Sequence, residues 1–149
     1  MDKKILALLA IFIVAVSLAT VYAGEELVSH DFGKFKMDIP QAKEAVAETH
    51  GGSGNQTIYS VPNPDLTEFA HVEYWDTSNT NGSKNTTDVV LNKIKVNYTM
   101  KNEGDTSCWV SKDSREEVYL ISSDDDTRAV IIVGSDTRLP QAAKSVEFK

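Results

Sequence analysis

The chain predicts an α+β domain: a mostly antiparallel sheet of five to six strands packed by two helices. Three observations carry that prediction. Residues 34–39 alternate strictly, with Phe35, Met37 and Ile39 on one face and Lys34, Lys36 and Asp38 on the other. That is the period of a half-buried antiparallel strand. Ala129, Val130, Ile131, Ile132 and Val133 form a run that is apolar on both faces, so their strand needs cover above and below and belongs in the middle of a sheet. Two apolar stripes recur at helical spacing, Val90, Leu91, Ile94 and Tyr98 in one and Leu139, Ala142, Ala143 and Val146 in the other.

Along the chain, Lys3 and Lys4 precede an apolar run over residues 5–19, and Val21, Tyr22 and Ala23 supply a small-residue exit. A charged start, a greasy middle and such an exit make residues 1–23 a secretory signal peptide. The alternative is an uncleaved anchor, since the stretch approaches the roughly 20 apolar residues that span a bilayer. Both lysines lie on its N-terminal side, so the remainder is placed outside either way. No Cys follows the run, which excludes an acylated lipoprotein start.

Residues 24–149 then form a single domain, long enough to bury a core without staples. A strand at 27–32 turns at Gly33 into the alternating strand, which Pro40 stops. Residues 41–49 read as a weak helix or turn, and 50–54 as a Gly-rich loop. Strands at 57–61 and 67–75 flank the turn at 62–65. Residues 76–84 are a polar loop, and Thr86 or Thr87 caps a helix that begins near Asp88 and ends at Gly104. Strands at 106–112, 116–122 and 127–134 close the sheet before the last helix, from about Leu139. Both helices are expected on one face, with the early hairpin covering the other.

Composition narrows the partners. The formal net charge is −7, and it becomes −8 once Asp2, Lys3 and Lys4 leave with the leader. An acidic domain argues against nucleic acid and anionic lipid, leaving membrane contact to the N-terminal segment if that is not cleaved. A protein or cell-envelope partner, or cations, remain compatible. Cys108 is the single cysteine, so no intramolecular disulfide forms, and a small buried hydrophobe is its expected role.

The start MDKKILALLAIFIVAVSLATVYA, the strand HDFGKFKMDIP and the ending AVIIVGSDTRLPQAAKSVEFK resemble small exported proteins of methanogenic archaea. In outline the fold is similar to the sandwich of the photosystem II extrinsic proteins. Those resemblances imply a compartment and a fold, and no activity.

Candidate chemistry is sparse. Read as a calcium loop, 77–88 places Asn79, Asn81 and Asn85 at side-chain ligand positions, Gly82 at the sharp turn and Asp88 at the final carboxylate. Thr77 stands where such loops begin with Asp, so any affinity would be weak; a solvated loop leading to a helix cap accounts for the same residues. Asn55, Asn81 and Asn85 head glycosylation sequons. Asn97 heads a fourth, which is set aside because a glycan on the helix would hinder its packing.

Trp75 stands at the lip of the polar loop, where an aromatic residue can form a ligand platform, with His71 and Asp76 beside it. Trp109 is assigned to the core. Asp124, Asp125 and Asp126 read as a solvated hairpin turn, with cation binding as the rival. His30, His50 and His71 lack metal-site spacing. Ser29, His30 and Asp31 adjoin on a strand, where neighbours point apart, so they make no triad. No nucleophile elbow, phosphate loop or dinucleotide fingerprint is present, and no cofactor is expected. The sequence therefore supports an exported, non-enzymatic binding or envelope-associated domain. Its rivals are a small secreted enzyme built from Glu73, Asp76 and Asp88 near Trp75, and a weak extracellular cation module.

Overall fold

The computed structural model describes residues 26–42, 44–51, 55–78, 92, 94, 97–103 and 106–149. Strands dominate: β1 (Leu27–Asp31), β2 (Phe35–Pro40), β3 (Ala47–His50), β4 (Gln56–Pro62), β5 (Glu68–Asp76), β6 (Tyr98–Glu103), β7 (Thr106–Ser111), β8 (Glu117–Ser122), β9 (Arg128–Gly134) and β10 (Glu147–Phe148). One short helix, α1 (Leu139–Lys144), joins β9 to β10. The strands form two antiparallel sheets, β1-β2-β10 and β3-β4-β5-β9-β8-β7-β6. The fold is thus mostly β, and the expected α+β sheet of five to six strands packed by two helices is corrected.

Three strands that the sequence did not announce, β3, β6 and the two-residue β10, add to the strand content. Residues 47–50 are a strand, paired from Ala47↔Ser60 to His50↔Thr57, where a weak helix or turn was expected. All four are exposed, so no burial period marks them, and only backbone pairing defines the strand. The helix expected to run to Gly104 gives way earlier. Asn92, Ile94 and Asn97 have helical backbone, and the chain is extended from Tyr98. Tyr98 falls at helical spacing from Ile94, but Tyr98-Thr99-Met100 is aromatic and β-branched sequence that favours a strand.

Where period two was visible, it holds. Phe35, Met37 and Ile39 are buried and Lys36 is exposed. The β1–β2 turn depends on Gly33, whose φ of 88° suits glycine; its N–H donates to Asp31 Oδ1 at 2.8 Å. β9 is the central strand of the large sheet, as its two-sided apolar run requires.

Register divides the large sheet into two faces. Val72 lies opposite Ile132 and Tyr74 opposite Val130, with Tyr119 and Cys108 continuing this inner face across β8 and β7. Phe35, Met37 and Ile39 of the small sheet and Leu139, Ala142 and Ala143 of α1 pack onto it. The hairpin and α1 therefore share one face, and the expectation of both helices opposite the hairpin is overturned. Phe35 stacks on Phe32 at 4.6 Å and on Tyr74 at 5.8 Å, and Tyr59 meets it edge-on. Gly134 lets α1 approach, because a Cβ there would lie 3.0 Å from the Phe69 carbonyl oxygen and 3.2 Å from Leu139 Cδ1. Cys108 is fully buried on this inner face, with its thiol reduced.

The outer face carries Trp75, Trp109, Val118, Leu120, Ala129 and Ile131, with Ile94 packed among them. Trp109 belongs to this apolar layer, as expected of a core residue.

Candidate functional site

β5 is covered on both sides, and its alternation sorts its residues. Ala70, Val72 and Tyr74 enter the inner core, while His71, Glu73 and Trp75 project together onto the outer face. Their cross-strand neighbours are Val133, Ile131 and Ala129 on β9 and Ser60, Ile58 and Gln56 on β4. Glu73 itself lies between Ile58 and Ile131, and its half-buried carboxylate is held by hydrogen bonds. Glu73 Oε2 accepts from Gln56 Nε2 at 2.7 Å and from Trp75 Nε1 at 2.8 Å. Glu73 Oε1 lies 3.2 Å from His71 Nε2.

This group opens on a hollow of about 180 Å³ lined by Glu73, Trp75, Ile94, Tyr98, Val118, Ile131 and Val133. Its floor is aliphatic, its walls include an indole and a phenol, and Glu73 is its charged group. Among the described residues, His71 is the only basic side chain within ion-pair distance of Glu73. Tyr98 is fixed by its hydroxyl, which donates to Glu116 Oε1. Burial, together with that bond to a carboxylate, pushes the Tyr98 phenol up to about 12. It therefore stays neutral at physiological pH and offers a π face rather than charge.

The structure brings His71 and Trp75 together, with Glu73 as the link. Asp76 is separated from them. β5 extends through Asp76, so its side chain falls on the opposite face, aligned with Arg128. Asp76 Oδ1 accepts from Ser78 N at 2.9 Å and Ser78 Oγ at 2.6 Å. Burial pushes its carboxyl up, but the Ser78 bonds and the Arg128 charge outweigh that and leave it below the usual range. Asp76 therefore does not share the outer face with Trp75. Asn79, Asn81, Asn85 and Asp88 lie outside the described residues. Asn55 is half-buried in a bend, its carbonyl accepting from Asp76 N at 3.0 Å. Asn97, set aside as mid-helix, is instead the residue immediately before β6, with its side chain exposed.

Other candidates resolve into structure. Asp125 Oδ1 accepts from Ser123 Oγ, Thr127 N and Thr127 Oγ1, the bonding of a built turn. His30 packs edge-on against Phe32, and Asp31 pairs with Lys149. Among the described residues no three His, Cys, Asp or Glu side chains cluster as a metal site. Gln56 and Tyr98 were not site candidates from sequence, Tyr98 having been read only as part of a helical stripe. Gln56 reaches the site only through cross-strand register, whereas Glu73 was legible as the middle of an alternating His-x-Glu-x-Trp row. Comparison with family models, curated proteins and solved structures found no match.

Proposed function

We propose that this chain is an exported, non-enzymatic binding domain of the cell surface or extracellular space, and that the Glu73 hollow is its site. One observation carries the reading: a carboxylate held by Gln56, Trp75 and His71 in an aliphatic hollow with Trp75 and Tyr98 in its walls. Gln and Trp donate hydrogen bonds without cancelling the charge. The arrangement suits a cationic group, which gains from the carboxylate and from the aromatic rings together.

The hollow is smaller than the roughly 300–1,000 Å³ that encloses a whole drug-sized ligand. It fits the end of one side chain, so the ligand is a lysine or arginine presented by a partner protein of the cell envelope. The acidic balance of the chain favours the approach of such a basic surface. Of the acids a secreted enzyme would draw on near Trp75, Asp76 faces away from this hollow. Export rests on the leader at residues 1–23 and on the resemblance to small exported archaeal proteins. Among the described residues no helix is long and apolar enough to cross a membrane.

The test is a titration of the protein with capped Gly-Lys-Gly, Gly-Arg-Gly and Gly-Glu-Gly peptides, read by tryptophan fluorescence. A saturable response to the basic peptides, absent with the acidic one and lost in Glu73→Gln, is the expected result. A response unchanged in Glu73→Gln, or none with any peptide, would overturn the site.

A further inference from the structure

We propose that Asn97 is an N-linked glycan acceptor, and that its glycan shields the β6 edge of the large sheet; this rests on the export reading above. Asn97, Tyr98 and Thr99 form the acceptor sequence Asn-x-Thr. The structure places it where the helical segment gives way to β6, not within a packed helix. Asn97 and Thr99 are both exposed, and the intervening Tyr98 turns into the hollow and anchors the segment through Glu116. The Asn97 carbonyl accepts from Lys112 N at 3.1 Å. That bond holds the main chain and leaves the side-chain amide outside. Both groups the transfer requires, the Asn amide and the Thr hydroxyl, are thus accessible on an ordered surface.

Asn55 is the contrasting site. It and Thr57 are half-buried, and the Gln56 between them is bonded to Glu73. Asn97 is therefore the better acceptor of the two.

The position also has a use. β6 ends the seven-strand order, and Met100 on it is 58% exposed. An edge strand bearing an exposed apolar side chain is a template for unwanted pairing, which bulk at its head obstructs. The donor is a lipid-phosphate-linked oligosaccharide. Asn97 Nδ2 forms a bond to the anomeric carbon of its first sugar, the bond from that carbon to the lipid-phosphate oxygen breaks, and the amide gives up one proton.

The experiment is mass spectrometry of full-length protein recovered from its source cells, read at the N-terminus and at the tryptic peptide 96–101. A processed or externally located protein with sugar on peptide 96–101 is the expected result. The sugar should disappear in Asn97→Gln and Thr99→Ala and persist in Thr99→Ser. An exported protein with unmodified Asn97 overturns this site and leaves export standing. An unmodified protein retained inside the cell, with its leader intact, overturns both.

Discussion

Truncating Ile132 and Ile131 separately to Ala tests how the two faces of the central strand are covered. Ile132 is fully buried on the inner face, between Val72 of β5 and Tyr119 of β8. Its truncation removes three carbons, a transfer loss of about 2.4 kcal/mol at ~0.8 kcal/mol per methylene. The inner face is closed by the small sheet and α1, so an enclosed void of roughly 70 Å³ would add about 1.7 kcal/mol at ~24 cal/mol per Å³. The expected destabilisation is about 4 kcal/mol. Ile131 removes the same three carbons but lines the outer hollow. Its truncation enlarges an existing space, so most of the cavity contribution falls away and about 2.5 kcal/mol is expected. Guanidinium unfolding of both variants, followed by tryptophan fluorescence and circular dichroism, measures the two losses at a common m-value. Equal losses, or a larger one for Ile131→Ala, would refute the division into a sealed and a hollowed face. Losses below about 1 kcal/mol in both would refute the central position of the strand.

Alkaline titration offers a second check. Tyr59, Tyr74, Tyr98 and Tyr119 all have their phenols pushed up, in each case chiefly by burial. The native state therefore favours the protonated phenols. Their stabilisation is complete below about pH 10 and is lost as pH rises through the folded values, about 12 for Tyr98. In protein beginning at Gly24, phenolate absorbance should stay low near pH 10 and rise together with loss of circular dichroism at higher pH; ionisation near pH 10 of a still-native protein would contradict the burial. Asp136 gives the acid counterpart. Hydrogen bonds from Arg138, whose guanidinium also bonds Asn63 and lies over the Phe69 ring, hold its carboxyl below the usual range. That contribution is present above about pH 4 and lost as pH falls through the folded value, so Asp136→Asn should cost about 1–2 kcal/mol at pH 7 and progressively less as pH is lowered toward ~2. Melting temperatures across that range check it, and an undiminished gap in acid would count against the pairing.

What was legible in the sequence was burial that repeats with a period. β2 shows its alternation outright, and the apolar run of β9 announced a central strand. β3 carries no such signal, because a strand exposed on both faces is held only by its backbone bonds to β4. Tyr98 misled for a different reason. It satisfies the spacing of a helical stripe from Ile94 and the alternation of a strand with Met100, and only the pairing of β6 with β7 decides between them. Within the candidate site, His71 and Trp75 could be read as residues of one strand face. Asp76 could not join them once β5 ran on through it, since consecutive strand residues point apart. Gln56 lies 17 positions from Glu73, and its approach depends on the β4–β5 register.

The contrast between β5 and β9 explains why the outer face is the place to seek function. On β9 both faces are aliphatic, so that strand solves a packing problem and nothing more. On β5 the inner residues Val72 and Tyr74 do the same, yet the outer row reads His71, Glu73, Trp75 beside the aliphatic Val133, Ile131 and Ala129. A valine or isoleucine at position 73 would continue that aliphatic floor without the cost of desolvating a carboxylate. Instead the fold supplies Gln56 and the Trp75 indole as donors and leaves a hollow beside them. Packing alone does not call for such an arrangement. On the proposed reading, the retained carboxylate offers a ligand charge that an apolar side chain at position 73 would not.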